Sequence, residues 1–403
     1  MIFQLAFAHF QSPPPVLTGL DQIRDYEHLF AFKKIGIVTN HTAINRAGLH
    51  ITDILPTLSE VRIVALFGPE HGVRGHAVAG ETVENQVGSL SEVPVYSLYG
   101  NTKKPTSEML RGIDLLVFDI QDIGARFYTY IWTLFHVMQA AAEHNIPLVV
   151  LDRPNPVTGK VEGPILDQQF SSFIGLQPLP VRHGMTIGEL AQLYNGEGWL
   201  GENLRTDLTV IPLKNWRRDI WFEKTGLEFF PPSPNMPDLE TATIYPGACL
   251  LEGTNVSEGR GTETPFLVFG APWIASDQLC DRLNSLRLTG LCFEPAEFIP
   301  VAIAGKVRAP AYENTHCYGA KIHITHRDNV EPFFSGVCIV QVLHDLYPND
   351  FQFRQDGFFD KLCGTDEIRE SIEAGGNILT LREKWRQQHV SFDRMKKKYL
   401  LYE

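Results

Sequence analysis

The sequence lacks the motifs of several large enzyme classes. Its first predicted strand is followed by Thr39-Asn40-His41 and not by a G-x-G-x-x-G turn, so the usual dinucleotide-binding fingerprint is missing. There is also no P-loop, no G-x-S-x-G elbow and no H-E-x-x-H motif. These absences argue against a nicotinamide enzyme, a nucleotide hydrolase and a serine esterase.

Positive charge and paired cysteines are also scarce. The 403 residues carry 35 Lys and Arg against 47 Asp and Glu, a formal net charge of −12. An acidic chain gains no affinity for phosphate backbones from counterion release, so nucleic acid is not an expected partner. The six cysteines are scattered, with no C-x-x-C pair and no histidine at ligand spacing. They predict buried free thiols and not a zinc or redox site.

No stretch of the sequence is long and apolar enough to span a membrane. The apolar run within residues 1–15 has no Lys or Arg before it and is interrupted by Gln4 and His9, which makes a poor signal peptide. We therefore expect a cytoplasmic protein from the sequence as given, or a periplasmic or secreted one if the authentic N-terminus carries an export signal.

The first half of the chain alternates apolar runs with helix-like stretches. Continuous runs of Val, Ile and Leu predict strands buried on both faces, and a helix between two of them predicts a parallel crossover. The sequence therefore predicts an α/β fold with a mostly parallel sheet flanked by helices, and ligands bound beyond the carboxyl ends of the strands. The predicted strands are Ile35–Val38, Val61–Phe67, Leu115–Phe118 and Leu148–Leu151, with a crossover helix over Ile131–His144.

A proline-rich segment, Phe229–Pro237, predicts a rigid linker or loop. We place a domain boundary near it and expect a first domain over residues 17–240 and a second over 241–403. Upstream, Thr186-Ile187-Gly188-Glu189 has the pattern of a capping box, so Glu189 is interpreted as a helix cap and not as a catalyst.

Polar residues follow each predicted strand. Glu70 and His71 stand in the loop Gly68–Gly72, where a carboxylic acid beside an apolar strand end can act as a general acid. The alternative is a loop glutamate that caps the next helix or pairs with Arg74.

After the next strand, Asp119 and Asp122 precede Arg126, Tyr128 and Tyr130, a set that suits a sugar or carboxylate pocket. Asp119 is alternatively a structural carboxylate with Arg126 as its partner. Asp119, Asp122 and His71 could also hold a divalent metal, but their spacing does not require one. We therefore expect neither a metal nor another cofactor.

Later loops are stiff or rich in hydrogen-bonding groups. Asp152–Pro156 contains two prolines, which hold its polar groups in place. Glu162, Arg182 and His183 follow and can join the same rim. The segment Asn255–Thr262 suits a loop that faces a ligand, although a surface turn is the alternative.

Taken in order, these stretches resemble the NamZ-type exo-β-N-acetylmuramidases, glycoside hydrolase family 171, formerly a domain of unknown function. The resemblance runs nearly from end to end of the chain. The matching stretches are Ile37–Thr42, Leu66–Gly72, Ala79–Glu81, Val95–Gly100, Phe118–Asp122, Gly124–Tyr130, Leu151–Pro156, Arg182–Thr186, Pro234–Pro237 and Leu251–Thr262.

The resemblance implies a Rossmann-like catalytic domain, a smaller C-terminal α+β domain that completes the cleft, and no nucleotide. It implies an enzyme that releases N-acetylmuramic acid from the non-reducing end of peptidoglycan fragments of the MurNAc-GlcNAc type, in cell-wall turnover and recycling. Two alternatives are a non-catalytic binder of cell-wall muropeptides and a metal-dependent hydrolase of the same polymer.

Glycosidases commonly use one carboxyl group as acid and a second as base or nucleophile. On that basis Glu70 is the expected acid, held by His71 or a neighbouring carboxylate. The second role is open between Asp119, Asp122, Glu162 and the substrate's own acetamido group. Arg126 or Arg153 is expected to bind the lactyl carboxylate, and Tyr128 and Tyr130 to contact the sugar. The full set of expected substrate-binding residues is Asn40, His41, Arg126, Tyr128, Tyr130, Arg153, Asn155, Arg182, His183, Asn235, Asn255, Glu258 and Arg260.

Overall fold

The apolar runs of the first half of the chain form a twisted parallel sheet. The computed structural model describes residues 14–74, 86–87 (backbone only) and 93–403. The apolar run at residues 1–13 and the matching stretch Ala79–Glu81 lie outside the described residues. The strands of the large sheet are β1 (Lys34–Thr39), β2 (Arg62–Gly68), β3 (Gln86–Val87), β4 (Pro94–Ser97), β5 (Leu115–Asp119), β6 (Leu148–Leu151) and, later in the chain, β9 (Leu208–Ile211).

Strand order fixes where a ligand can bind. The sheet runs β3-β4-β2-β1-β5-β6-β9. All neighbours from β4 to β9 are parallel, and β3 pairs antiparallel with β4 at one edge. Strands β2 and β4 lie on one side of β1, and the later strands β5, β6 and β9 lie on its other side. This reversal opens a crevice above the carboxyl ends of β1, β2 and β5, so the expected α/β architecture is confirmed.

Helices cover the sheet and build the second half of the chain. The crossover helix α2 begins one residue earlier than expected, and the capping box at the start of α3 is confirmed, because Thr186 and Glu189 exchange side-chain and backbone hydrogen bonds. The described helices are α1 (Ile51–Ile54), α2 (Tyr130–His144), α3 (Ile187–Gly196), α4 (Leu239–Ala248), α5 (Ser276–Ser285), α6 (Pro332–Leu346), α7 (Phe358–Cys363), α8 (Glu367–Glu373) and α9 (Ile378–Lys396).

The C-terminal part is a smaller α+β unit, as expected. Its three-stranded antiparallel sheet has the order β10-β12-β11 and packs against α5. A separate antiparallel pair, β7 and β8, lies between the two halves and contacts α6 and α9. The strands are β7 (Glu162–Ile165), β8 (Pro180–Arg182), β10 (Val268–Ala271), β11 (Leu291–Phe298) and β12 (Cys317–Ile324).

The two faces of the parallel sheet are buried in different apolar clusters. Along β1, Ile35 and Ile37 face one cluster and Val38 faces the other, as the alternation of a strand requires. The cluster that contains Val38 continues through α2 into Phe333 of α6. The two halves therefore share one core, and each fully buried Val, Ile, Leu or Phe side chain stabilises it by roughly 1.5–3 kcal/mol.

The last residues of the chain return to the first half. The Tyr402 hydroxyl donates to the buried carboxylate of Asp152 and accepts from the backbone N–H of Leu213 at 2.9 Å. The backbone N–H of Leu401 donates to Glu189 at 2.9 Å. This segment therefore closes the carboxyl edge of β6 and the start of α3.

All six cysteines are free thiols, as their spacing predicted, and only Cys292 is more than slightly exposed. In the part of the chain that the structure describes, we find no helix with the length and apolar character of a membrane span.

Candidate active-site cleft

The loops after β1, β2 and β5 meet at one edge of the sheet. Thr39 at the end of β1 pairs with Asp119 of β5, and its neighbour Val38 pairs with Phe67 of β2. The three strands therefore end at nearly the same level. Parallel pairing therefore brings the Asn40, Glu70 and Asp122 loops together, as predicted from the sequence.

A cleft of about 620 Å³ opens above this edge and is walled by both halves of the chain. The first half contributes Glu70 and its neighbours, and the second half contributes most of the charged wall. The polar and aromatic residues that line it include Glu70, Tyr99, Thr129, Asn235, Tyr245, Glu252, Glu258, Arg260, Lys306 and Arg308.

Glu70 is held at the cleft by a tight turn. Gly68 permits the turn, because a Cβ there would stand 2.7 Å from the backbone nitrogen of Val73. His71 is buried and adopts a left-handed backbone conformation with φ of 70°, which is unusual for a residue other than glycine. The backbone N–H of Gly72 closes the turn on the Pro69 carbonyl at 2.9 Å. Such strain is concentrated at functional sites.

Two hydroxyl groups orient the Glu70 carboxylate. The Thr129 hydroxyl donates to Glu70 Oε2 at 2.8 Å. Tyr99 also hydrogen-bonds to Glu70; burial, and then the charge of Glu70, raises the pKa of Tyr99 well above its usual value. Glu70 is therefore a positioned carboxyl group at the cleft.

Asp119 is a structural carboxylate, and its partner is Arg153. The alternative prediction, in which Arg126 is the partner of Asp119, is wrong. Asp119 is completely buried, and Arg153 forms a two-pronged ion pair with it, with Nη2 3.0 Å from Oδ2. Arg153 also donates to the Ile44 carbonyl at 3.3 Å. Neither residue lines the cleft that contains Glu70.

Asp122 and Glu162 also lie away from that cleft. Asp122 accepts the backbone N–H of Gly124 at 2.7 Å and stands 3.7 Å from His183 Nε2. Glu162 lines a different cavity of about 470 Å³, accepts the backbone N–H of Phe334 at 2.8 Å, and lies 3.9 Å from Arg182. Burial raises the pKa of Glu162 to about 7.

Arg126 is not placed to meet a substrate. It is fully buried, and its guanidinium donates to the carbonyls of Pro164, Leu179 and Leu362 at 2.8–3.0 Å. Its two Nη groups therefore join β7, the residue before β8 and α7, and Arg126 does not line the cleft.

The two expected sugar-binding tyrosines are buried and do not line the cleft. Tyr130 is 1% exposed and donates to the Pro232 carbonyl at 2.6 Å. Tyr128 packs edge-on against Tyr130 and against Tyr245, with ring centroids 4.9 and 5.9 Å apart. Of these three rings, Tyr245 is the one that lines the cleft.

Several other expected binding residues hold loops in place. Asn40 accepts the Thr42 N–H, His41 contacts the Pro231 carbonyl, and Asn255 donates to the Asp350 carbonyl. These contacts fix the loops around the cleft.

Three further expected binding residues, Asn155, Arg182 and His183, bind other loops of the protein. Asn155 donates to the Met185 carbonyl, and His183 accepts the Met185 N–H. Arg182 donates to the Val157 carbonyl and to the Thr158 hydroxyl.

Glu258 and Arg260 do line the cleft, together with a residue that sequence reasoning missed. Arg260 Nη1 lies 2.9 Å from Glu258 and 3.1 Å from Glu252, and its guanidinium stacks 4.8 Å from the Phe266 ring centroid. Burial raises the pKa of Glu252, and Arg260 opposes this effect. The signal for Glu252 was available, because it stands in the matching stretch Leu251–Thr262.

Tyr99, Thr129 and Lys306 were also missed. Tyr99 and Thr129 belong to matching stretches, but only folding shows that both hydroxyls face Glu70. Lys306 had no sequence signal. Among the described residues, no group of three His, Cys, Asp or Glu side chains is arranged to hold a metal ion.

Comparison with known proteins identifies two adjoining family models. The model described as exo-beta-N-acetylmuramidase NamZ, N-terminal, matches residues 35–240, and its C-terminal counterpart matches residues 243–402. The chain is 46% identical over 391 residues to the peptidoglycan beta-N-acetylmuramidase NamZ of Bacillus subtilis (strain 168), which covers 96% of this chain and 92% of that protein.

Two solved structures of DUF1343 family proteins from Bacteroides fragilis are also similar. One has a TM-score of 0.87 and 35% identity, covering 96% of this chain and 99% of the other. The second has a TM-score of 0.77 and 34% identity, covering 97% and 99%.

Proposed function

Because the chain belongs to the NamZ family of exo-β-N-acetylmuramidases, we propose that it is a glycoside hydrolase that acts on peptidoglycan. It releases N-acetylmuramic acid from the non-reducing end of fragments of the MurNAc-GlcNAc type. The observation that carries this proposal is the oriented Glu70 carboxyl group in a cleft that Glu252 and Glu258 also line. A pair of carboxyl groups across a cleft is the usual equipment for glycoside cleavage.

Glu70 is the general acid of this mechanism. The bond to the leaving sugar breaks as positive charge develops on the ring, and a proton delivered to the leaving oxygen lowers the barrier. Thr129 fixes one carboxyl oxygen of Glu70, so the side chain keeps its aim while the proton moves. His71, with its left-handed backbone, is part of the same turn.

Glu252 takes the second role. Asp119, Asp122 and Glu162, the candidates from the sequence, do not line this cleft, whereas Glu252 and Glu258 do. Arg260 forms an ion pair with both glutamates and opposes the rise that burial causes in the pKa of Glu252. From that wall, Glu252 orients the substrate's acetamido group or water toward the anomeric carbon.

The test is Glu70→Gln, assayed on a MurNAc-GlcNAc disaccharide and on a MurNAc aryl glycoside with an activated leaving group. Without a general acid, turnover of the disaccharide falls roughly 100-fold or more. The activated glycoside loses much less, because its leaving group needs no proton. The matched control is Glu143→Gln, which changes a surface ion pair with Lys104 and keeps normal turnover.

Near-native turnover of the disaccharide by a folded Glu70→Gln protein would remove Glu70 from this role. Binding of the disaccharide by the wild-type protein without any cleavage would instead identify a non-catalytic binder. Release of acetate or peptide that stops on addition of a chelator would identify a metal-dependent hydrolase.

A further inference from the structure

Among the residues that the structure describes, four cationic side chains line the cleft: Arg260, Lys306, Arg308 and Arg354. Arg260 is held between two carboxylates, and Arg354 is paired with Asp356 at 2.5 Å. Lys306 is exposed, and its ammonium forms no ion pair with any residue in the described part of the chain. It therefore stands ready for an anion from outside the protein.

The backbone of Lys306 is fixed although its side chain is exposed. The Asn235 side chain donates to the Lys306 carbonyl at 3.0 Å, and the Lys306 N–H donates to Ile303 at 3.0 Å. Val307, the next residue, is buried and paired with Ile303. The ammonium is thus presented from an anchored turn, which reduces the entropy lost when it binds a ligand.

The cleft wall also carries carboxyl groups. Glu70, Glu252 and Glu258 line it, and each carboxylate repels an anionic ligand unless a cation lies close to the ligand. Muramic acid differs from glucosamine by a lactyl ether that ends in a carboxylate. The two arginines that the sequence offered for this group are engaged elsewhere, Arg126 with three carbonyls and Arg153 with Asp119.

We propose that Lys306 binds the lactyl carboxylate and so makes the cleft select muramic acid over glucosamine. The proposal rests on the proposed function and adds the group that determines substrate preference. Asn235, expected from the sequence to bind substrate, acts through Lys306 by holding its carbonyl.

The experiment compares Lys306→Gln, Lys306→Arg and the wild-type protein on aryl glycosides of MurNAc and of GlcNAc. We expect Lys306→Gln to raise KM for the MurNAc glycoside roughly 10- to 100-fold with little change in kcat, because one charge-assisted contact is lost. Lys306→Arg recovers much of the preference. The matched control is Lys321→Gln, an exposed lysine on β12 outside the cleft, which leaves the preference unchanged.

An unchanged preference in Lys306→Gln would overturn the proposal, and so would an equal loss on both glycosides. The proposal would also be overturned if Arg308→Gln, and not Lys306→Gln, lost the preference for MurNAc, since Arg308 lines the same cleft. Calorimetric titration with free MurNAc and free GlcNAc separates this proposal from the proposed function. A protein that cleaves nothing but binds MurNAc more tightly than GlcNAc, and loses that difference in Lys306→Gln, refutes the hydrolase and supports the role of Lys306.

Discussion

Replacing Arg126 with methionine separates a structural role from a substrate-binding one. The change leaves three buried carbonyls, those of Pro164, Leu179 and Leu362, without the guanidinium that donates to them. A buried carbonyl left without a donor costs about 1–3 kcal/mol. The Leu179 carbonyl costs the least, because it still accepts the backbone N–H of Leu166 at 3.1 Å. Burial lowers the pKa of Arg126 to about 10, so removing the charge returns on the order of 3 kcal/mol. The net expectation is a loss of roughly 2 kcal/mol in the free energy of unfolding.

Urea unfolding followed by tryptophan fluorescence measures this loss. Trp132 is a local probe, because its indole N–H donates to the Arg126 carbonyl at 2.8 Å. The matched control is Arg217→Met, which removes an exposed ion pair with Asp219 and should leave the urea midpoint close to that of the wild-type protein. A folded Arg126→Met protein with wild-type stability but without preference for muramic acid would refute the reasoning and return Arg126 to the substrate site.

Two further predictions concern a buried acid and a hydroxyl. Burial raises the pKa of Glu162 from its ordinary 4.5 to about 7, so the folded protein holds a proton that the unfolded chain releases. The free energy of unfolding therefore falls as pH rises from about 4.5 to 7, by at most on the order of 3 kcal/mol. Urea midpoints measured over this pH range should fall less steeply for Glu162→Gln than for the wild-type protein. An equal fall in both proteins would contradict this prediction. Thr129→Val removes the hydroxyl that orients Glu70 and should lower kcat about tenfold with little change in KM or stability. Thr129→Ser should keep most of kcat, and a full loss in both variants would contradict the orienting role.

The parallel sheet was predictable because its strands are continuous apolar runs. The predicted run Ile35–Val38 is one residue shorter than β1 at each end, and the predicted run Leu148–Leu151 is identical to β6. Strand β9 was missed because Leu208–Val210 is only partly buried and gives a short, weak run at the edge of the sheet. Tertiary pairing with β6, and not local pattern, makes it a strand.

The site was predictable by region more than by residue. Sequence placed Glu70 at a strand end, and the turn geometry brings it to the cleft. It could not show that Arg126 points into the core, because chemical type does not reveal which side of a loop a side chain occupies. It gave no sign of Lys306, since the contact that presents this residue joins positions 71 apart in the chain.

The return of Tyr402 to Asp152 has a consequence for synthesis on the ribosome. The two residues are 250 positions apart, and a ribosome adds about 5–20 residues each second. The first half of the chain therefore exists for roughly 10–50 seconds before the hydroxyl that contacts Asp152 has been made. During that interval the carboxyl edge of β6 is open, and a purification tag fused directly after Glu403 would crowd the same edge in the finished protein.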